Sequence, residues 1–381
     1  MGLLRLLLAL AVVAAHAGPP AGVSWLRMTD GPASVQIFYV ISGFYMTLIL
    51  NEKYVGDGAY AAFAKSRLLR LVPMFLVVLV VTVVTAVVLQ ALLGRSIEPW
   101  TRWRSYGPTM PWGDWIVLAL TNVTIVGQDL VSFFAVDPHS HELFFTPDFH
   151  HEAQPAWQFL LVPQAWTVSI ELMFYALAPL LVRRRPWVIA AMALLSFGLR
   201  AYLMKHYGVY HDPWTYRFFP TELLLFLGGA LAFHGYRWAT RLGLLRPVVC
   251  WLATLGMLGA VLTFPFLPQP LQHWRFGLPG LLLVVIVVLP FVFEATRTNR
   301  LDRALGELSY PVYLVHYLLV FVVATLDLPW LSASRSIVIP VATLVLAWLL
   351  WRTVGLPLES RRQRLVPRGA GARALPGRTV G

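Results

Sequence analysis

A polytopic all-α membrane protein is the fold class that this 381-residue chain predicts, and three observations carry the prediction. Hydrophobic residues make up 58% of the chain and charged ones 13%, against about 25% charged in a soluble globular domain; the mean hydropathy is +0.67. Ten apolar runs are separated by short polar stretches, several of them basic, and the runs are of the length a ~30 Å hydrocarbon core requires. The 15 tryptophans, Trp100, Trp103, Trp112, Trp115, Trp157 and Trp166 among them, suit the interfacial belts where an amphipathic ring bridges headgroups and acyl chains. The net charge of +12 is dispersed in short groups between apolar runs, which fits membrane loops and argues against nucleic acid as a partner. The single cysteine, Cys250, excludes an internal disulfide framework.

The first run, 3–17, is headed by Arg5 and ends at His16. It has two readings. Arg5, the apolar stretch behind it and Ala15-His16-Ala17 as an A-x-A site would make a cleavable signal peptide. Retained, the segment is a membrane span holding an ionisable residue, which lipid penalises and which is therefore a functional hypothesis. The remaining runs are 35–50, 73–93, 164–182, 186–203, 219–234, 247–266, 278–293, 304–326 and 336–354. One further apolar run, 115–126, carries Asn122 and is flanked by Asp114, Gln128 and Asp129; about a dozen residues do not span, so it is interfacial or re-entrant.

Charge bias orients these ten spans. With the amino terminus inside, Arg5, Lys53, Lys65, Arg67, Arg70, Arg183 to Arg185, Arg237, Arg241, Arg246, Arg297, Arg300, Arg303 and the arginines of the tail all fall on the cytoplasmic side. They are most of the basic residues, as the positive-inside rule asks. Counting 115–126 as a span would place Arg183-Arg184-Arg185 outside. Both termini are thus expected in the cytoplasm, with an outward segment at about 94–163, a membrane domain at 1–358 and a basic, disordered tail at 359–381.

Four local patterns follow in order: Arg5 and His16 eleven positions apart; Phe38-Tyr39-Val40-Ile41-Ser42-Gly43-Phe44 with the R-x-x-R of Arg67 and Arg70 behind it; Gln164-Ala165-Trp166-Thr167-Val168-Ser169-Ile170-Glu171-Leu172-Met173-Phe174-Tyr175; and Gly306-Glu307-Leu308-Ser309-Tyr310-Pro311-Val312-Tyr313-Leu314-Val315-His316. Together, in this register, they resemble the acyltransferase-3 family of bacterial membrane O-acyltransferases over nearly the whole chain. The resemblance implies a multi-pass enzyme of the bacterial cytoplasmic (inner) membrane, an acyl-CoA donor such as acetyl-CoA, and a hydroxylated glycan or lipid-linked acceptor. It implies that Arg5 and His16 are the family's first-span pair, and it decides for a retained first span. Where the family shows an E-Q pair after Glu171, this chain has Leu172 and Met173, so no second acidic role transfers there.

Acyl transfer from a thioester to an alcohol needs a base, oxyanion stabilisation and a clamp for the donor's phosphates. His16 fits the first, since an imidazole accepts and returns a proton near neutral pH; a histidine satisfied by helix packing is the alternative. Glu171, costly inside a span unless paired, is the second catalytic candidate, orienting His16 or an arginine. Arg5, Arg67 and Arg70 are the candidate cofactor-binding residues: Arg67 and Arg70, three apart, share a helical face and offer forked donors to phosphate, unless they are merely a positive-inside anchor. Ser42 and Gly43 read as close-packing residues. Arg217 and Glu222 are expected to bind the acceptor or pair with each other, and His316 is a candidate substrate-binding or packing histidine. Asp137, His139, His141, Glu142, Asp148, His150, His151 and Glu152 form a polar group with no closed metal signature, read as a solvated loop or a sugar-recognising one; no metal is expected. Intramembrane Arg, His and Glu also admit a transporter or flippase, but no paired interrupted helices mark the two halves.

Overall fold

The computed structural model describes residues 1–18, 29–208, 212–268 and 277–365. Each of the ten apolar runs forms a helix. In chain order the helices are α1 (Gly2–Ala17), α2 (Gly31–Glu52), α3 (Ala59–Leu93), α4 (Glu98–Tyr106), α5 (Trp112–Thr124), α6 (Trp166–Leu181), α7 (Pro186–Tyr207), α8 (Phe219–Arg241), α9 (Pro247–Thr263), α10 (Gly277–Thr296), α11 (Arg300–Leu326), α12 (Pro329–Leu350) and α13 (Leu356–Gln363). Among the described residues, seven helical stretches are long and apolar enough to cross a membrane, and α1 and α9 are shorter apolar helices of 16 and 17 residues. The protein is a multi-pass membrane protein.

Local chemistry sets the helix ends. Asp30 caps α2 by accepting from the Ala33 N–H at 2.8 Å, and Asn299 caps α11 through the Asp302 N–H at 3.0 Å, each satisfying a donor that the first turn leaves free. Helix α3 begins 14 residues before the apolar run at 73 and stops at Gly94, which takes φ 68. Its polar first half forms no hydrophobic run but contains no helix breaker, so the helix continues outward and carries Arg67 and Arg70. The last span is also longer than expected: α12 passes through a π turn at Trp351–Gly355 into α13. The boundary expected at 358/359 falls inside that helix, and residues 366–381 lie outside those described.

The bundle is built on close helix crossings. A Cβ on Gly43 of α2 would sit 1.9 Å from the Phe226 carbonyl oxygen of α8, and one on Gly229 2.0 Å from that of Val40; only glycine admits this approach. A second crossing brings Gly2 of α1 against Asp302 and Gly306 of α11. In both pairs the helices run parallel, since Gly2 lies beside Gly306 and His16 beside His316, while Gln36 lies beside Glu222 and Phe44 beside Phe233.

The segment 94–163 adds to the all-α expectation a two-stranded antiparallel hairpin, β1 (Phe134–Val136) with β2 (Leu143–Phe145), in register Ala135 opposite Phe144. It has its own small core of Met110, Leu118, Val131, Val136, Phe159 and Leu160. Helix α5, 13 residues long, extends only about 20 Å and does not span. Its Trp112, Val117, Leu120 and Val123 are exposed, an uncovered apolar face on a non-spanning helix.

Candidate active site

Helix α1 aligns the two residues singled out at the head of the chain. Eleven residues are about three full turns, so Arg5 and His16 point from the same face of α1 and lie about 16 Å apart along its axis. Helix α11 runs parallel beside it and places Glu307 near Arg5 and His316 and Tyr317 against His16. Two polar clusters result, one at each end of this helix pair.

At the end from which the 94–163 segment projects, the His16 and His316 ring centroids are 5.2 Å apart, and Tyr317 stands 4.7 Å from His16. The His16 Nδ1 is 2.8 Å from the Val12 carbonyl oxygen, and His316 Nδ1 is 2.8 Å from that of Tyr313. A carbonyl only accepts, so both imidazoles carry their proton on Nδ1 and present a bare Nε2 lone pair. His16 is solvent-exposed. His316 is fully buried, and its Nε2 has no partner among the described residues. Around them, Tyr313 donates to the Gln164 carbonyl at 3.0 Å and accepts from Thr167 at 3.0 Å, tying α11 to the start of α6.

Arg217 lies in electrostatic range of His16 and Tyr317. Its guanidinium stacks over Trp166 at 4.6 Å and Phe149 at 5.5 Å and bonds both Asp212 carboxylate oxygens at 2.8 Å. The expected pairing of Arg217 with Glu222 is therefore corrected. Glu222, fully buried, binds Arg200 of α7 at 2.8 Å and Gln36 of α2 at 3.1 Å. Its position in the first turn of α8, at the α2 and α7 crossings, turns it into the bundle and away from any open surface.

At the opposite end Arg5, Arg67 and Arg70, from two distant segments, come together with Glu307. Arg70 pairs with Glu307 at 3.8 Å, and Arg5 is in electrostatic range of both. The Arg5 guanidinium has no hydrogen-bond or ion-pair partner among the described residues. Arg67 is buried, stacks on Phe63 at 5.9 Å and leaves its Nε unpaired among the described residues. Buried guanidinium donors without an acceptor are costly, and a diphosphate or ribose phosphate would satisfy them bidentately. Arg362 on α13 is in electrostatic range of Arg67, Arg70 and Glu307.

Glu171 belongs to this second cluster. Its Oε1 accepts from Ser42 at 2.7 Å and from the Tyr175 hydroxyl, and Arg5 and Arg70 feel its charge. No hydrogen bond links it to His16, so the expected His16 orienting role is corrected: the tertiary structure gives Glu171 to the arginine end. Ser42 is a hydrogen-bond donor to Glu171, whereas Gly43 does serve close packing. Among described residues, no group of three or more His, Cys, Asp or Glu could hold a metal.

Sequence reasoning assigned no role to Glu307, Tyr317, Tyr175, Arg200 or Asp212. Glu307 stood within a quoted motif and Arg200 was a lone charge in an apolar run, so both left a signal. Tyr317 left none, because only tertiary packing brings it to His16, whereas Asp212 stood five residues from Arg217 and was a local acidic partner.

An apolar helical bundle with an exposed imidazole at one end and, at the other, an arginine cluster holding donors unpaired among the described residues has the parts that a membrane acyl-transfer enzyme needs. The chain belongs to the acyltransferase-3 family, whose profile, described as an acyltransferase domain, matches residues 1–352. It is 25% identical over 300 residues to the exopolysaccharide production protein ExoZ of Rhizobium meliloti (strain 1021), covering 78% of this chain and 79% of that one. It is 26% identical over 391 residues to nodulation protein 10 of Rhizobium leguminosarum bv. viciae, covering 96% and 94%. No solved structure matches. The protein is an enzyme that transfers acyl groups.

Proposed function

We propose that the chain is an O-acyltransferase of the bacterial cytoplasmic membrane that moves an acyl group, acetyl in the simplest case, from cytoplasmic acyl-CoA to a hydroxyl of a polysaccharide or lipid-linked glycan on the outer side. Ten spans with both termini in the cytoplasm underlie the reading. Odd-numbered helices pack parallel to odd (α1 with α11, first and ninth of the ten) and even to even (α2 with α8, second and sixth), as successive crossing requires. Most of the basic residues are expected at the Arg5 end, in keeping with the positive-inside rule. The name of the exopolysaccharide relative supports a glycan acceptor.

The observation that carries the proposal is the shared face of Arg5 and His16. Arg5, Arg67 and Arg70 would hold the donor's phosphates, and the ~16 Å of helix between Arg5 and His16 is a length the pantetheine arm covers. At the far end the Nε2 of His16 takes the acceptor's hydroxyl proton as its oxygen attacks the thioester carbon. The tetrahedral oxyanion then collapses, the C–S bond breaks, and the CoA sulfur leaves as a thiol with the proton returned by His16. Arg217 adds positive potential beside the developing charge. Glu307 keeps Arg70 in place.

The test is transfer of radiolabelled acetyl from acetyl-CoA to surface polysaccharide by purified protein in nanodiscs. Wild type is expected to label the polysaccharide and His16→Ala to fail while reaching normal expression. Equal labelling by the two would overturn the assignment.

A further inference from the structure

We propose that a cleft on the 94–163 segment is a second glycan subsite, holding sugar units of the acceptor chain that are not themselves acylated; the inference rests on the O-acyltransferase reading. The cleft measures about 480 Å³ and is lined by Glu98, Thr101, Arg102, Ser105, Tyr106 and His141, with Pro138 at its edge, a size within the ordinary range for small-ligand sites. Glu98, Thr101, Arg102 and Ser105 fall at i, i+3, i+4 and i+7, one face of α4. The β1–β2 hairpin tip forms the opposite wall.

That tip is built to hold one ring. The Asp137 carboxylate accepts from the His139 and Ser140 N–H groups, each at 2.8 Å, and these bonds hold its carboxyl below its ordinary value. The next residue, His141, takes φ +60, a region a side chain of this size rarely occupies. The strain delivers the imidazole to 4.8 Å from Tyr106, tilted 60°, with Thr109 hydrogen-bonded to Nδ1. Two tilted aromatic rings give the C–H faces of a pyranose an apolar platform. The Glu98 carboxylate accepts from sugar hydroxyls, Arg102 and Ser105 donate to them, and Thr101, whose own proton goes to the Ile97 carbonyl at 3.2 Å, accepts.

The charge balance favours a neutral sugar over an anion. Arg102 already pairs with Glu98 at 3.2 Å and bonds Gln154, so no free guanidinium awaits a phosphate. The cleft is also tied rigidly to the reaction end of the bundle. Ile97, just before α4, packs with Ala86 and Phe321, and Trp100 and Tyr317 lie on the same cluster. Tyr317 is the ring 4.7 Å from His16. Glu98 is in electrostatic range of Tyr317. A glycan chain crossing from cleft to His16 would thus be gripped on one side of the hydroxyl being acylated.

The experiment uses full-length protein in nanodiscs, acetyl-CoA and oligosaccharides cut from the host's own surface polysaccharide after alkaline de-O-acylation. Glu98→Gln removes the carboxylate charge, and Ser105→Trp fills the cleft from an exposed position. Both are expected to raise the oligosaccharide KM about tenfold with kcat unchanged, while acetyl-CoA hydrolysis without acceptor keeps its wild-type rate. Wild-type KM in both variants would remove the subsite and leave the O-acyltransferase reading standing. No transfer to the oligosaccharides by wild type would overturn both.

Discussion

The imidazoles of His16 and His316 lie 5.2 Å apart across the α1–α11 crossing, one exposed and the other buried with an Nε2 that has no partner among the described residues. An open base backed by a buried second lone pair is an arrangement for receiving a proton and holding it in place. His16→Ala is expected to cut acyl transfer by ~10²–10⁴, the usual worth of general base catalysis. His316→Asn, which keeps a donor for the Tyr313 carbonyl, is expected to lower kcat about tenfold, and the double variant to be no worse than His16→Ala alone. Steady-state kinetics of labelled acetyl transfer decides; strictly additive losses would mean that the two histidines act separately.

Arg67 is buried with its Nε lacking an acceptor among the described residues. Arg67→Gln is expected to weaken acetyl-CoA binding by ten- to a hundredfold, the value of one or two hydrogen bonds to a charged group. Arg246→Gln, a basic residue of the same membrane side but outside the cluster, is expected to leave it unchanged. Isothermal titration with acetyl-CoA measures both, and equal affinities would reduce Arg67 to a topological anchor.

The α2–α8 contact has no room for a methyl group at Gly43. Gly43→Ala is expected to destabilise the protein by ~1–3 kcal/mol or more, the range for overpacking. It would also shift Ser42 off Glu171. A thermal melt followed by fluorescence-detected size exclusion reads the loss, and a wild-type melting curve would refute the tight crossing.

Glu222 is expected to behave as a structural ion. Arg200→Ala leaves its buried carboxylate without a cation and should cost ~3–5 kcal/mol, whereas Arg200→Leu with Glu222→Leu should recover much of that. Were Glu222 to contact the acceptor instead, Glu222→Gln would raise the acceptor KM without lowering Tm.

Asp129 is buried in the 94–163 segment, with one oxygen accepting from Ser169 at 2.6 Å and the other unpaired among the described residues. Burial pushes its carboxyl above the ordinary 3.8. The unfolded chain then loses this proton at lower pH than the folded one, so stability declines as pH rises from about 4 through the raised value and stays lower at neutrality. Asp129→Asn cannot ionise and keeps an acceptor for Ser169. Its Tm is expected to exceed wild type at pH 7 and to match it near pH 4; a lower Tm at pH 7 would show that the charge is paid for elsewhere.

Which helices exist, and most of their bounds, could be read along the chain because a helix in lipid satisfies its own backbone and declares itself by twenty apolar residues in a row. The exceptions were α4, which no apolar run marks, and α3, the end of α8, the start of α12 and the α12–α13 extension, where hydrogen bonding outlasts hydropathy. The hairpin of the 94–163 segment also escaped, since three-residue strands carry too little alternation to be recognised. Arg5, His16, Arg67 and Arg70 were legible as ionisable residues in or beside apolar runs. Glu171 was legible as important, with His16 or an arginine as its partner, and the fold leaves it at the arginine end; Arg217 and Glu222, five apart, looked like a pair that the fold separates.

The amino-acid sequence by itself determined that this is a helical membrane protein of the acyltransferase-3 type with a cationic end and a histidine, because hydropathy, charge and motif order are properties of the chain. Only the tertiary structure decided who meets whom. The glycine crossings of α2 with α8 and of α1 with α11 set which helices run side by side, and a buried charge then takes the partner that packing places within about 3 Å: Arg200 for Glu222, Asp212 for Arg217, Ser42 and Tyr175 for Glu171. Tyr175 and Asp212 are near neighbours of the groups they meet, but Ser42 lies 129 positions from Glu171 and Arg200 22 from Glu222, and no local pattern encodes those two.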